Sequence, residues 1–325
     1  MESQNSLGEY FFDLKPQQHQ VVTIAPPKKH LEFEKSNFID IAFSFIDNVN
    51  FPNDQYEGRP RFNPKNLLKS LLIMAYNGMS YQRIESDLRE LKEKGFISEI
   101  PKRSTMNKYM LEEETKKTIR KLIEMTSLPF VDSEDTLILD STWFSPRMYT
   151  GGYRKVYDKR SGTLTKVRKV HISCLKNSRI ICCAKATKGT DNDSPVLKEL
   201  VSTPINNGFK IKTLLADAGY SGKENYAFCN HLNIRNIFIN FKKNATRRRA
   251  KSQVWRNQLI LFKERPDEWK ETYRFRVIVE GIFSSMKRKN LNYLRSRKDI
   301  SQDIELLLKC LVHNFTIIGK ELIND

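Results

Sequence analysis

The stretch DTLILDSTWF, residues 135–144, runs apolar through Leu137, Ile138 and Leu139 and then stops at Asp140. A short apolar run without polar alternation predicts a strand buried on both faces, as in the middle of an α/β sheet. A carboxylate closing such a strand is costly unless it binds something. IKTLLADAGYSG (211–222) repeats the pattern, with an apolar run, Asp217, and then Gly219 and Gly222 as punctuation. Two acids at the ends of two buried strands set the first expectation, that the strands are neighbours and their acids converge.

Outward from these strands the pattern is that of a mixed α/β domain. Strands are expected near 153–158, at 167–175 and at 179–187. A helix starting at Pro195 with Ser194 as its cap follows, then a helix over GKENYAFCNHL and a strand over IRNIFINF. Two long helices are expected at 272–291 and 300–319. Three antiparallel strands followed by strand–helix alternation indicate a mixed sheet flanked by helices. Upstream of Pro129 the pattern is helical. Residues 1–58 read as an arm with one helix near 36–48. Residues 59–128 read as a helical region, 129–325 as the α/β domain. Pro64 is placed to open a helix that ends at NGMS, Ser80 to cap a second, and Ser104 to cap a third running to about Thr126. The later helix carries Lys102, Arg103 and Lys108 near its start, and the arrangement resembles a helix-turn-helix unit.

Charge narrows the function. Lys and Arg number 56 against 38 acids, a net charge of +18, which favours a polyanionic partner, nucleic acid above all. No apolar stretch approaches the roughly 18 to 20 residues that span a bilayer, and MESQNSLGEYFFDLK lacks the basic and apolar regions of a secretory leader. No membrane partner is expected. Five cysteines without a CxxC pair, and five scattered histidines, argue against a disulfide framework or a zinc site and fit a reducing, cytoplasmic setting.

The third acid lies in TYRFRVIVEGIFSSMKRKN (272–290). On a helical wheel Tyr273, Arg276, Glu280 and Lys287 share an arc of about 60°, while Phe275, Ile278, Val279, Ile282 and Met286 lie opposite. One face is built to pack and the other presents an acid among basic residues and a tyrosine. Asp140, Asp217 and Glu280, without histidine or cysteine ligands, form a donor set for hard cations, Mg²⁺ or Mn²⁺. Two such ions serve displacement at a phosphodiester.

Tyr273, Arg276, Glu280 and Lys287 match the Y-(2)-R-(3)-E-(6)-K signature of DDE transposases of bacterial and archaeal insertion sequences. ILDST around Asp140 and LLADAGYSG around Asp217 look like that family's first two acidic motifs. KVHISC, TKGTDNDSPVL and GMSYQRIESDLRE…IPKRSTMNKYM resemble its intervening and N-terminal segments, so the resemblance covers about 60–318. It implies a ribonuclease H-like catalytic core with Asp140, Asp217 and Glu280 as catalytic metal ligands. It also implies cleavage at element ends to expose 3′-OH groups, and joining of these to target DNA. Tyr273, Arg276 and Lys287 would hold terminal phosphates or flipped bases. The partners it implies are double-stranded DNA, at the ends and the target, and a second copy of the chain, inside a bacterial or archaeal cell and near the nucleoid. The 62 residues between Asp217 and Glu280 leave no room for the large β-rich insertion of some relatives.

Other residues divide between packing and function. FKKNATRRRAKSQVWRNQ (241–258), with Arg247, Arg248 and Arg249, reads as a solvated basic loop or a DNA contact. Trp143 reads as core or as support for base stacking, and Cys182 and Cys183 as small strand hydrophobes. Asp191 and Asp193 are rival metal ligands whose place before Pro195 reads better as helix capping, and His171 reads as a buried strand histidine, with a role near the metals as the alternative. Two other functions stay open at this level: a nuclease on the same core that cuts without joining, and a silent, transposase-derived DNA-binding protein.

Overall fold

The computed structural model describes residues 9–13, 19–23, 34–51, 62–146, 167–241, 253–289 and 292–324. The strand expected near 153–158 and the arginines at 247–249 lie outside them. The chain divides into two compact units, one of residues 1–129, 289–291 and 295–325, the other of 130–288 and 292–294.

In the first unit an antiparallel hairpin, β1 (Glu9–Asp13) and β2 (His19–Thr23), precedes five helices. These are α1 (Glu34–Asn48), α2 (Pro64–Asn77), α3 (Glu85–Glu93), α4 (Arg103–Tyr109) and α5 (Glu113–Ser127). Helix α2 begins as its sequence dictates, with Pro64 in its first turn and the Asn63 side chain accepting from the amides of Lys65 and Asn66. Gly78, left-handed at φ 59°, closes it. The single helix expected from Ser104 to Thr126 is two. Short-range bonds from the amides of Leu111 and Glu112 tighten the end of α4, and Glu112 is extended. Ser301 Oγ donates to the Met110 carbonyl (2.7 Å), so a side chain distant in sequence takes up a carbonyl that the break frees. Glu113 and Glu114 then lie at the favourable end of the new helix dipole. Residues 94–102 separate α3 from α4, longer than the three or four residues of a helix-turn-helix turn.

The second unit is the mixed sheet. Its strands are β3 (Thr136–Pro146), β4 (Arg168–Leu175), β5 (Ile181–Lys188), β6 (Thr213–Ala216) and β7 (Asn236–Ile239), in the order β5-β4-β3-β6-β7. Strand β4 runs antiparallel to both of its neighbours, β3 and β5, and β6 and β7 run parallel to β3. This is the mixed sheet flanked by helices expected from the sequence. Leu137, Ile138 and Leu139 are fully buried, as a central strand covered on both faces requires.

Its helices are α6 (Leu197–Asn206), α7 (Lys223–His231), α8 (Gln253–Glu264), α9 (Pro266–Tyr273) and α10 (Val277–Lys289). Between α9 and α10 the backbone tightens into a 3₁₀ turn over Arg274–Arg276, so the continuous helix expected from 272 is interrupted. A two-residue strand, β8 (Tyr293–Leu294), pairs with the end of β3. The last helix, α11 (Asp299–Asn324), packs in the first unit against α1, α2 and α5. No helix among the described residues is long and apolar enough to cross a membrane.

Two local expectations are corrected. Residues 253–264 are helix rather than solvated loop, because Trp255 and Leu259, four apart, are buried on one face. Trp255 packs edge-on to Phe241. Asp191 and Asp193 do not cap a helix. Asp191 accepts from the Lys188 amide and Asp193 from Lys169 Nζ, and a 3₁₀ turn over Ser194–Val196 comes before α6.

Candidate active site

The register of the sheet brings the first two acids together. Strands β3 and β6 pair from Thr136↔Thr213 to Leu139↔Ala216, and the next rung would set Asp140 against Asp217. Both acids thus stand just past the point where the parallel pairing of β3 with β6 stops; β6 ends there, while β3 runs on to Pro146, so Asp140 lies within its strand rather than closing it. Among the described residues, β3 has no partner on that side beyond Leu139 until Ser145 meets Tyr293.

Helix α10 supplies the third acid. Val279, Ile282, Phe283 and Met286 bury its apolar side, while Phe275 and Ile278, assigned to that side on the wheel, are only half-buried. Glu280 is exposed on the other side. Arg276 links the acids, since Nη1 donates to Asp140 Oδ2 (2.7 Å) and Nη2 to Glu280 Oε1. The Asp140 carboxylate also accepts from the Ser141 amide (2.7 Å). Burial pushes the Asp140 carboxyl up to about 6. The Ser141 amide and the Arg276 charge oppose that shift, and Asp217 and Glu280 add to it. Asp140 therefore feels the charge of both other acids.

An aromatic run positions Tyr273. Phe262 packs on Phe241 and on Trp269, and Trp269 stacks on Tyr273 with ring centroids 4.2 Å apart. The Tyr273 hydroxyl donates to the Ala216 carbonyl (3.4 Å), one residue before Asp217, and burial raises its pKa to about 12. Lys287 Nζ donates to Thr142 Oγ1 (2.7 Å), two residues after Asp140 on the same face of β3. Its desolvation lowers its pKa.

Behind the acids, His171 is fully buried as expected, with Nδ1 3.0 Å from the Tyr220 hydroxyl and Nε2 3.0 Å from Thr187 Oγ1. Burial holds its pKa down at about 4, so the ring is neutral. Trp143 differs from its packing assignment, being half exposed at 51% with Lys169 Nζ 5.7 Å from its ring. In the first unit, Lys102, Arg103 and Lys108 are exposed around α4, whose buried contact is Met106. Thr142, Ser141 and Tyr220, the partner of His171, were missed from sequence. Only Thr142 carried a signal, its period-two spacing from Asp140.

A family model described as a transposase DDE domain matches residues 132–315, more than half of the chain and all three acids. The chain belongs to that family. No curated protein matches this DDE transposase. Among solved structures, the piggyBac transposase synaptic complex with hairpin DNA is similar at 10% identity and a TM-score of 0.41, covering 90% of this chain and 73% of the other. The Mos1 transposase paired-end complex with left transposon end is similar at 9% identity and a TM-score of 0.23, over 69% and 82%. Likeness that distant carries no argument about this chain's chemistry.

Oxygen donors alone, one of them a desolvated carboxylate, fit a hard divalent cation. Among the described residues no three acidic, histidine or cysteine side chains are already drawn together as an ion-holding group. The Arg276 guanidinium stands between two of the acids instead.

Proposed function

We propose that this chain is the transposase of an insertion sequence, binding the element's ends and carrying out metal-dependent strand cleavage and strand transfer. The observation that carries the reading is that Asp140 and Asp217 both follow the last β3–β6 rung directly, with Glu280 tied to Asp140 through Arg276. Asp140, Asp217 and Glu280 would hold Mg²⁺ or Mn²⁺, two ions in the working complex. Such ions lower the pKa of an attacking water and offset the charge that develops at phosphorus.

The chain's own residues account for the rest. In the first step a water oxygen bonds to phosphorus and the P–O3′ bond breaks. The 3′-oxygen takes up a proton and the flanking strand keeps the phosphate. In the second step that 3′-OH attacks a target phosphodiester and releases a target 3′-OH, so the number of diester bonds is conserved. Arg276 and Lys287 orient phosphates by charge-assisted hydrogen bonds. Tyr273 serves as a positioning and contact residue rather than a nucleophile in this reading, its hydroxyl donating to the Ala216 carbonyl. The exposed Trp143 offers a face on which a base can stack. Lys102, Arg103 and Lys108, and the arginines at 247–249, would bind the DNA backbone, with two copies of the chain holding two ends.

The test is to incubate the purified protein with Mg²⁺, a target plasmid and labelled DNA carrying the sequences that flank its reading frame. Joined products are expected. Cutting without joining would make the chain a nuclease, and binding without either would make it a silent DNA-binding protein.

A further inference from the structure

We propose that Arg276 is a built-in occupant of the cation site, holding Asp140 and Glu280 together until a divalent ion displaces it. The inference rests on the reading of the three acids as cation ligands and adds a competitor to it.

The guanidinium is divided between two carboxylates. A planar fork commonly gives both nitrogens to one carboxylate. Here Nη1 goes to Asp140 on β3 and Nη2 to Glu280 on α10. The arginine is also held from a third side, its Cζ 5.9 Å from the Tyr273 ring, and its side chain is 20% exposed. It is a seated group, held between Asp140 and Glu280.

A guanidinium and a divalent ion cannot share that place. The ion needs carboxylate oxygens at about 2.0–2.2 Å in near-octahedral order, and the two cations repel. Arg276 therefore leaves as an ion enters, and its long side chain carries the freed fork toward whatever phosphate lies beside the site. Until then it neutralises a desolvated carboxylate that would otherwise be buried without a counter-charge. The arginine thus lowers ion affinity in the resting protein while keeping the acids in place.

Competition and orientation predict opposite signs. Mn²⁺ binding to the full-length protein is measured by the loss of the free-ion paramagnetic resonance signal. The proteins compared are wild type, Arg276→Gln, Arg276→Lys and Asp140→Asn. Arg276→Gln is expected to bind Mn²⁺ on the order of tenfold more tightly than wild type. Arg276→Lys is expected to fall between them, since a point charge cannot bridge two carboxylates. Thermal melts guard against a folding artefact, because Arg276→Gln should melt lower than wild type in chelator and gain more from Mn²⁺. Equal or weaker Mn²⁺ binding by Arg276→Gln would show that the arginine only orients the acids, and would overturn the inference while leaving the cation site standing. If wild type bound Mn²⁺ no better than Asp140→Asn, the cation-site reading would fall and the inference with it.

Discussion

Single side chains decide the chemistry, and Glu280 is the most informative of them. It is exposed on α10, where among the described residues its side chain is tied to Arg276 alone. Glu280→Gln should therefore leave the melting temperature nearly unchanged and DNA binding within about twofold, while turnover falls by at least about a hundredfold, roughly the loss of one metal ligand or charge-stabilising group. Quantifying joined product against bound DNA checks this, and substantial strand transfer by the mutant would remove Glu280 from the mechanism. At this scale the sequence was legible where chemistry and pattern coincided. Asp140 and Asp217 each end an apolar run of sequence, and a charge in that place is conspicuous. Trp143 was not legible. Its neighbours in sequence are strand residues of a buried sheet, and only the lapse in pairing beyond Leu139 leaves its ring open.

At the scale of elements, local signals located helices and strands well and their breaks poorly. The interruption at 110–112 is stabilised by Ser301, almost two hundred residues later, and nothing near Met110 announces it. The 3₁₀ turn at 274–276 is likewise hidden inside an unbroken helical pattern. Helix α8 was legible in principle through Trp255 and Leu259, but the run of basic residues before it suggested a solvated loop. Helix α11 allows a quantitative check. Lys309 is almost fully buried, and burial lowers its pKa to about 8, against Glu305, which raises it. A lysine with a lowered folded pKa holds fewer protons in the folded than in the unfolded chain between about pH 8 and 10.5. Stability contributed at this site therefore rises with pH across that window, and below it the folded protein bears the full cost of a buried cation. Lys309→Met should stabilise by about 1–3 kcal/mol at pH 7, with the advantage shrinking as pH rises toward 10. Chemical denaturation at a series of pH values measures it, and a constant difference across the series would contradict the account.

For the whole molecule, composition and fold agree. A net charge of +18 suits a polyanion, and a sheet with three antiparallel and two further parallel strands sets two acids side by side at its open end. Sequence could give the strand types and the acids but not the register, and register is what turns two separate aspartates into neighbours. The pairings that complete the site, Arg276 with Asp140 and Lys287 with Thr142, span more than a hundred residues and follow only once α10 is laid against β3. The most direct test is to grow crystals in Mn²⁺ and measure anomalous scattering at the manganese edge. The account predicts a peak within about 2.0–2.3 Å of carboxylate oxygens of Asp140 and Asp217, with Glu280 in its coordination sphere or one water away and Arg276 swung clear. Well-ordered carboxylates with no peak at saturating Mn²⁺, or a peak bound by other side chains, would contradict it.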